Sequence, residues 1–170
     1  MNGKILFAAL AVASGAAFAQ APTDPQIAHI VVTANQVDID AGKLAERQAK
    51  SPEVKAFGKQ MVTDHGAVNK QAVALVTKLK VKPEDNATSQ SLKSGGDANV
   101  KKLKTLKGAA FDKAYVDQEV AYHQAVLDAI DKVLLPTTDN AELKQLLTDV
   151  RPAVASHLER ARQIQGALKK

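Results

Sequence analysis

Apolar residues recur at spacings of three, four and seven along four stretches of the chain, and each stretch predicts an amphipathic helix. The first begins near Pro25 with Asp24 as its cap, carries the stripe Ile27, Val31, Ala34, Ala41, Ala45 and Ala49, and stops at Ser51. Ser51-Pro52-Glu53 is a new start signal: Ser caps, Pro tolerates the first helical position, and an early Glu suits the positive end of the helix dipole. The second stripe follows at once through Val54, Phe57, Met61, Val68, Ala72, Leu75 and Leu79, ending before the polar Lys82 to Asn86 stretch. So short a turn between two long helices forces an antiparallel hairpin.

From Ala87 to Gly108 the pattern weakens, and the segment reads as a crossover with a Ser/Gly loop, Ser91 to Gly96, and a short helix through Leu103 or Leu106. A third strong stripe starts around Ala109, runs through Phe111, Val116, Val120, Leu127 and Ile130, and ends before Pro136. Asp139 or Asn140 then caps a fourth, with Leu143, Leu147, Val150, Val154, Ala161 and Ile164 along it and Pro152 bending it from inside. Hairpin, long crossover, hairpin is the connectivity of an all-α, ferritin-like four-helix bundle.

The ends and the charge add a location. Lys4, the apolar run from Ile5 and the Ala17-Phe18-Ala19 close form a cleavable signal peptide over residues 1–19, leaving one domain over residues 20–170. No later stretch is long and apolar enough to span a bilayer, so the expected place is the periplasm. With no cysteine, neither disulfides nor thiolate metal sites are expected. The net charge of +5 is scattered; its densest group, Lys101, Lys102, Lys104 and Lys107, suits weak contact with an anionic surface and lacks the interleaved aromatics of a nucleic-acid site.

Three histidines fall where the stripes call for apolar residues. His65 lies between Met61 and Val68, His123 between Val120 and Leu127, and His157 between Val154 and Ile164, so all three face inward. Asp38 lies thirteen residues before Ser51 and His65 fourteen after it, which sets both at one height. Glu119 and His157 match in the same way across the second hairpin, and Glu119 shares a face with His123 at an i, i+4 spacing. His65, His123, His157, Asp38 and Glu119 therefore form a candidate site for one transition metal ion such as Zn, Cu or Fe, with Asp64, Asp112 and Tyr115 as outer partners. Ring nitrogens more than about 8 Å apart would exclude a single ion.

The segments SPEVKAFGKQMVTDHG, GAAFDKAYVDQEVAYHQ and LLTDVRPAVASHLERAR, in this order behind a signal peptide, resemble the DUF4142 family of exported bacterial proteins. The resemblance runs from about Ala28 to Arg162 and falls on Phe57, Asp64, His65, Phe111, Asp112, Tyr115, His123, Pro152, His157 and Leu158. It implies a ferritin-like bundle and brings no established activity. Ferritin-like di-metal proteins use Glu-x-x-His pairs; here Val62 and Val154 stand where those glutamates would be, which speaks against an oxidase or iron store.

Two functional readings fit these residues. One is a non-catalytic structural or stress-related envelope protein with unidentified envelope partners, whose inward polar groups fix helix register. The other is a periplasmic metal-binding protein. An enzyme has least support, since no nucleophile elbow or phosphate loop is present.

Overall fold

Both Pro-led starts begin helices: α1 spans Asp24–Gln48 and α2 spans Pro52–Leu79. The computed structural model describes residues 21–169, so the expected signal peptide lies outside the described residues. The cap of α1 is Thr23 and not Asp24. Asp24 instead accepts hydrogen bonds from the backbone N–H groups of Asp139 and Asn140 at 3.1 and 2.8 Å, which ties the start of the first helix to the start of the last.

The α1–α2 turn is short, and its backbone is held from across the bundle. Asp112 accepts from the N–H groups of Lys50 at 2.9 Å and Ser51 at 2.7 Å. Beside the turn the two helices touch backbone to backbone: a Cβ on Gly42 would stand 2.8 Å from the Gly58 carbonyl oxygen, and one on Gly58 would stand 2.7 Å from Ala45 Cβ. Side chains there would prise the hairpin apart.

The crossover differs from its expectation. Ser91 to Gly96 is not a loop but the middle of α3, Ala87–Lys104. Two effects outweigh its weak propensity. Asn86 caps the helix by accepting from Ser89 N–H at 3.0 Å, while Ser89 Oγ accepts from Asn86 N–H at 3.0 Å. Gly96 lies so close to α1 that a Cβ would sit 2.7 Å from a Val37 methyl, so the glycine is a packing surface. Buried Leu103 anchors the far end.

Helix α4 covers Gly108–Ala129 and passes into a π-helical turn, Ile130–Leu134, and one further turn, α5, Leu135–Thr137. Helical backbone thus continues through Pro136, where a stop was expected; the turn that precedes it is π-type, with the Leu135 N–H bonded to the Ile130 carbonyl. Asn140 caps α6, Ala141–Ala167, by accepting from the N–H groups of Glu142 and Leu143, and α6 runs through Pro152.

The result is an all-α helical bundle, with no strand among the described residues. Hairpin α1–α2 packs on hairpin α4–α6, and α3 lies along α1. Its interior has two apolar clusters. One gathers Leu44, Phe57, Met61, Leu103, Phe111, Tyr115 and Ile164; the other gathers Ile27, Val31, Ala72, Ile130, Leu147 and Val154. Between them, on every long helix of the two hairpins, the buried residues turn polar: Asn35 and Asp38, His65, Glu119 and His123, and His157.

Candidate metal centre

The polar layer arises from register. Asn35 and Asp38 follow Ile27 and Val31 on the inward face of α1, and the same face of α4 presents Tyr115, Glu119 and His123 one turn apart. Hairpin geometry then brings His65 of α2 and His157 of α6 to the same level. Ring centroids are 5.6 Å apart for His65 and His123, 5.2 Å for His65 and His157, and 5.5 Å for His123 and His157. One ring nitrogen from each lies within 4.8 Å of the others, and one ligand atom each of Asp38, Glu119 and His123 forms a second such group.

Hydrogen bonding decides which nitrogen each ring leaves free. Asn35 donates its amide N–H to the Val31 carbonyl at 2.7 Å, so its oxygen faces His65 and accepts from Nδ1–H at 2.7 Å. His123 donates Nδ1–H to the Glu119 carbonyl at 3.0 Å, since a carbonyl can only accept. His157 donates Nε2–H to the Asp64 carboxylate at 2.9 Å. The opposite nitrogens, His65 Nε2, His123 Nε2 and His157 Nδ1, are buried without any hydrogen-bond partner. Each is a lone pair on a ring locked in one tautomer by its outer partner.

Charge is scarce on the rings and unwelcome on the carboxyls. Burial, then His123 and His157, push His65 down to about 3; burial, then His157, push His123 down to about 4 against the pull of the Glu119 carbonyl. Both rings are neutral near pH 7. Burial and then Glu119 raise Asp38 well above the carboxylate range. Burial likewise raises Glu119, to about 8, against the opposing pull of the Tyr115 hydroxyl and the Asp38 carboxyl nearby. Two buried carboxyls side by side, with no cationic partner, are pushed toward their protonated forms.

All five expected ligands therefore meet in one layer. Asp64 is beside His157, and Tyr115 is buried below Glu119, its hydroxyl raised by burial and by the charge of Glu119 and Asp38. Asp112 is not brought to the layer: both its oxygens are occupied by the α1–α2 turn, two helical turns from Glu119. His29, partly exposed near Asp85, stays outside as expected. Sequence reasoning missed Asn35, which sets the His65 tautomer, and Tyr122, which donates to the Ala34 carbonyl at 3.0 Å. Asn35 was findable, because it stands four residues after Val31 on the inward stripe of α1.

A family model described as "Domain of unknown function (DUF4142)" matches residues 8–164. The chain belongs to the DUF4142 family. Neither curated proteins nor solved structures provide a match. Membership carries no specific activity. In this DUF4142 protein the layer takes its buried carboxyls from α1 and α4.

Proposed function

We propose that this protein binds one divalent transition metal ion, Zn, Cu or Fe, through His65, His123 and His157, with Asp38 and Glu119 supplying negative charge beside it. One observation carries the reading: three buried ring nitrogens on three helices lack a hydrogen-bond partner, His65 Nε2 having only the Asp38 carboxyl 3.5 Å away, while the other nitrogen of every ring is held. Orphaned buried acceptors are destabilising unless something occupies them. Imidazole nitrogen with nearby carboxylate suits these metals, and the Asp64–His157 pair has the form of the carboxylate–histidine arrangement common behind metal ligands. One ring nitrogen of each histidine lies within 4.8 Å of one from each of the others, well inside the separation that would exclude a shared ion.

The proposal includes an exported, periplasmic location behind the signal peptide of residues 1–19, and a ferritin-like connectivity, which the crossover between two hairpins supports. No helix among the described residues is long and apolar enough to cross a membrane. Lys101 and Lys104 line the α1–α3 cleft with Lys43 and Arg47, which favours contact with an anionic surface.

The competing reading is a non-catalytic envelope protein in which the layer only fixes register. It is favoured by the bonds each ring already makes to Asn35, the Glu119 carbonyl and Asp64. Elemental analysis of untagged protein, with calorimetric titration of Zn²⁺, separates the two. Metal binding predicts a near-stoichiometric ion that is lost in the His65, His123 and His157→Ala triple variant. No binding to the wild type after reconstitution with Zn²⁺, Cu²⁺ and Fe²⁺ would leave register fixing as the role.

A further inference from the structure

Among the described residues, a largely apolar cavity of about 480 Å³ lies between α1, α3, α4 and α6 and is partly open to solvent. Its walls are aliphatic: Ile30 and Val31 from α1, Val126 and Ile130 from α4 and the π turn, Leu147 and Val154 from α6. Native interiors pack at near-crystalline density, so space of this size among aliphatic side chains is unusual. It also lies within the size range of small-molecule sites.

Two further observations say what kind of molecule it takes. The first is the backbone at its wall. Ile130, Val133 and Leu134 all line the cavity, and all belong to the π-helical turn, where α4 departs from regular α geometry. Such turns are rare and gather at functional sites. The second is the state of the polar groups. Asn35 and Tyr122 face the cavity, yet Asn35 has its amide N–H on Val31 and its oxygen on His65, and Tyr122 has its hydroxyl on the Ala34 carbonyl. The Tyr122 hydroxyl and one of the two Asn35 amide hydrogens are thus committed within the protein, leaving one Asn35 N–H and the hydroxyl of exposed Thr88 as the side-chain donors on an otherwise aliphatic lining.

We propose that the cavity holds the unbranched hydrocarbon tail of an amphiphile, whose polar end remains at the open side, where Val133 is 41% exposed. A cavity of roughly 150 Å³ accommodates a benzene-sized molecule, so this one takes a tail of roughly 12 to 18 carbons. The inference stands on the cavity alone and not on the metal site.

Metal-free protein, stripped of bound lipid, is titrated with an environment-sensitive naphthalene dye, which is then displaced by n-alkanols of roughly 6 to 12 carbons, below the size at which the cavity fills. Displacement is expected to saturate at one site and to tighten about four-fold per added methylene. Ala129→Phe, which fills the cavity, is expected to weaken binding at least ten-fold; Val133→Lys, at the exposed rim and harmless to the core, is expected to weaken it several-fold. Circular dichroism and the unfolding midpoint establish that each variant is folded. No saturable displacement, no dependence on chain length, or unchanged affinity in both folded variants would overturn the proposal. Dye release that tracks self-association in sedimentation would mean that a second copy covers the cavity, and would overturn it as well.

Discussion

Replacing Glu119 by Gln in metal-free protein tests the electrostatics of the layer directly. The carboxyl is fully buried, and burial raises it from the ordinary 4.5 to about 8. A group whose affinity for protons is higher in the folded state contributes stability that is complete below its unfolded pKa and is lost as pH rises toward its folded one. The window is therefore pH 4.5 to 8. At about 1.4 kcal/mol for each tenfold change in proton affinity, the loss reaches at most about 5 kcal/mol at pH 8. Because Asp38 and Glu119 share the site, we expect Glu119→Gln to recover about 2–4 kcal/mol there. The amide keeps the shape and removes the titration, so the same substitution is near neutral at pH 4.5. Urea unfolding followed by circular dichroism at both values reads the difference. A variant destabilised equally at pH 4.5 and pH 8 would refute the argument, because Glu119 would then be holding a hydrogen bond and not a suppressed charge.

Four other outcomes follow. Asp112→Ala frees two backbone N–H groups at the α1–α2 turn and should lower stability by about 2–4 kcal/mol in urea unfolding, with no change in calorimetric Zn²⁺ binding. Asn35→Leu removes the acceptor that fixes His65 and should weaken Zn²⁺ roughly 10- to 100-fold by calorimetry, while stability falls by about 1–3 kcal/mol. Gly58→Ala places a methyl against Ala45 and the Gly42 carbonyl and should lose about 1–3 kcal/mol, whereas Gly66→Ala, with open space around it, should gain about 0.5–1 kcal/mol, both read in the unfolding midpoint. Between pH 6.5 and 8 the metal-free protein should melt at lower temperature as pH rises, and with excess Zn²⁺ the trend should reverse.

The helices and the inward histidines were legible because both rest on period alone: a residue three or four positions from its apolar neighbours must share their face. Matching heights also followed from counting out from a short turn, which is why Asp38 stands 3.5 Å from His65 and why Glu119 and His157 each gather with His123. What period cannot carry is partner choice. Asp112 has an inward position like that of Glu119, but the carboxylate is captured by the N–H groups of Lys50 and Ser51, more than sixty residues away in the chain. Ser91 to Gly96 failed for a related reason: Gly and Ser weaken an isolated helix, yet close approach to Val37 makes Gly96 the residue that fits. Propensity sees the isolated segment, and packing sees the neighbour.

The layer also makes opposite demands on protons. His65 and His123 are depressed to about 3 and about 4, so lowering pH below their ordinary 6.5 lets the unfolded chain take up protons that the fold refuses, and stability falls. Asp38 and Glu119 are raised, so raising pH above the carboxylate range lets the unfolded chain release protons that the fold retains, and stability falls again. Between about pH 4.5 and 6.5 the two effects oppose each other, and no pH relieves both. A layer that only fixed register could be built from neutral amides and hydroxyls, satisfied at any pH. A divalent cation relieves both halves at once, because it bonds the inward ring nitrogens that the fold keeps from protonating at His65 and His123 and supplies the positive charge that two adjacent carboxylates need before they can ionise.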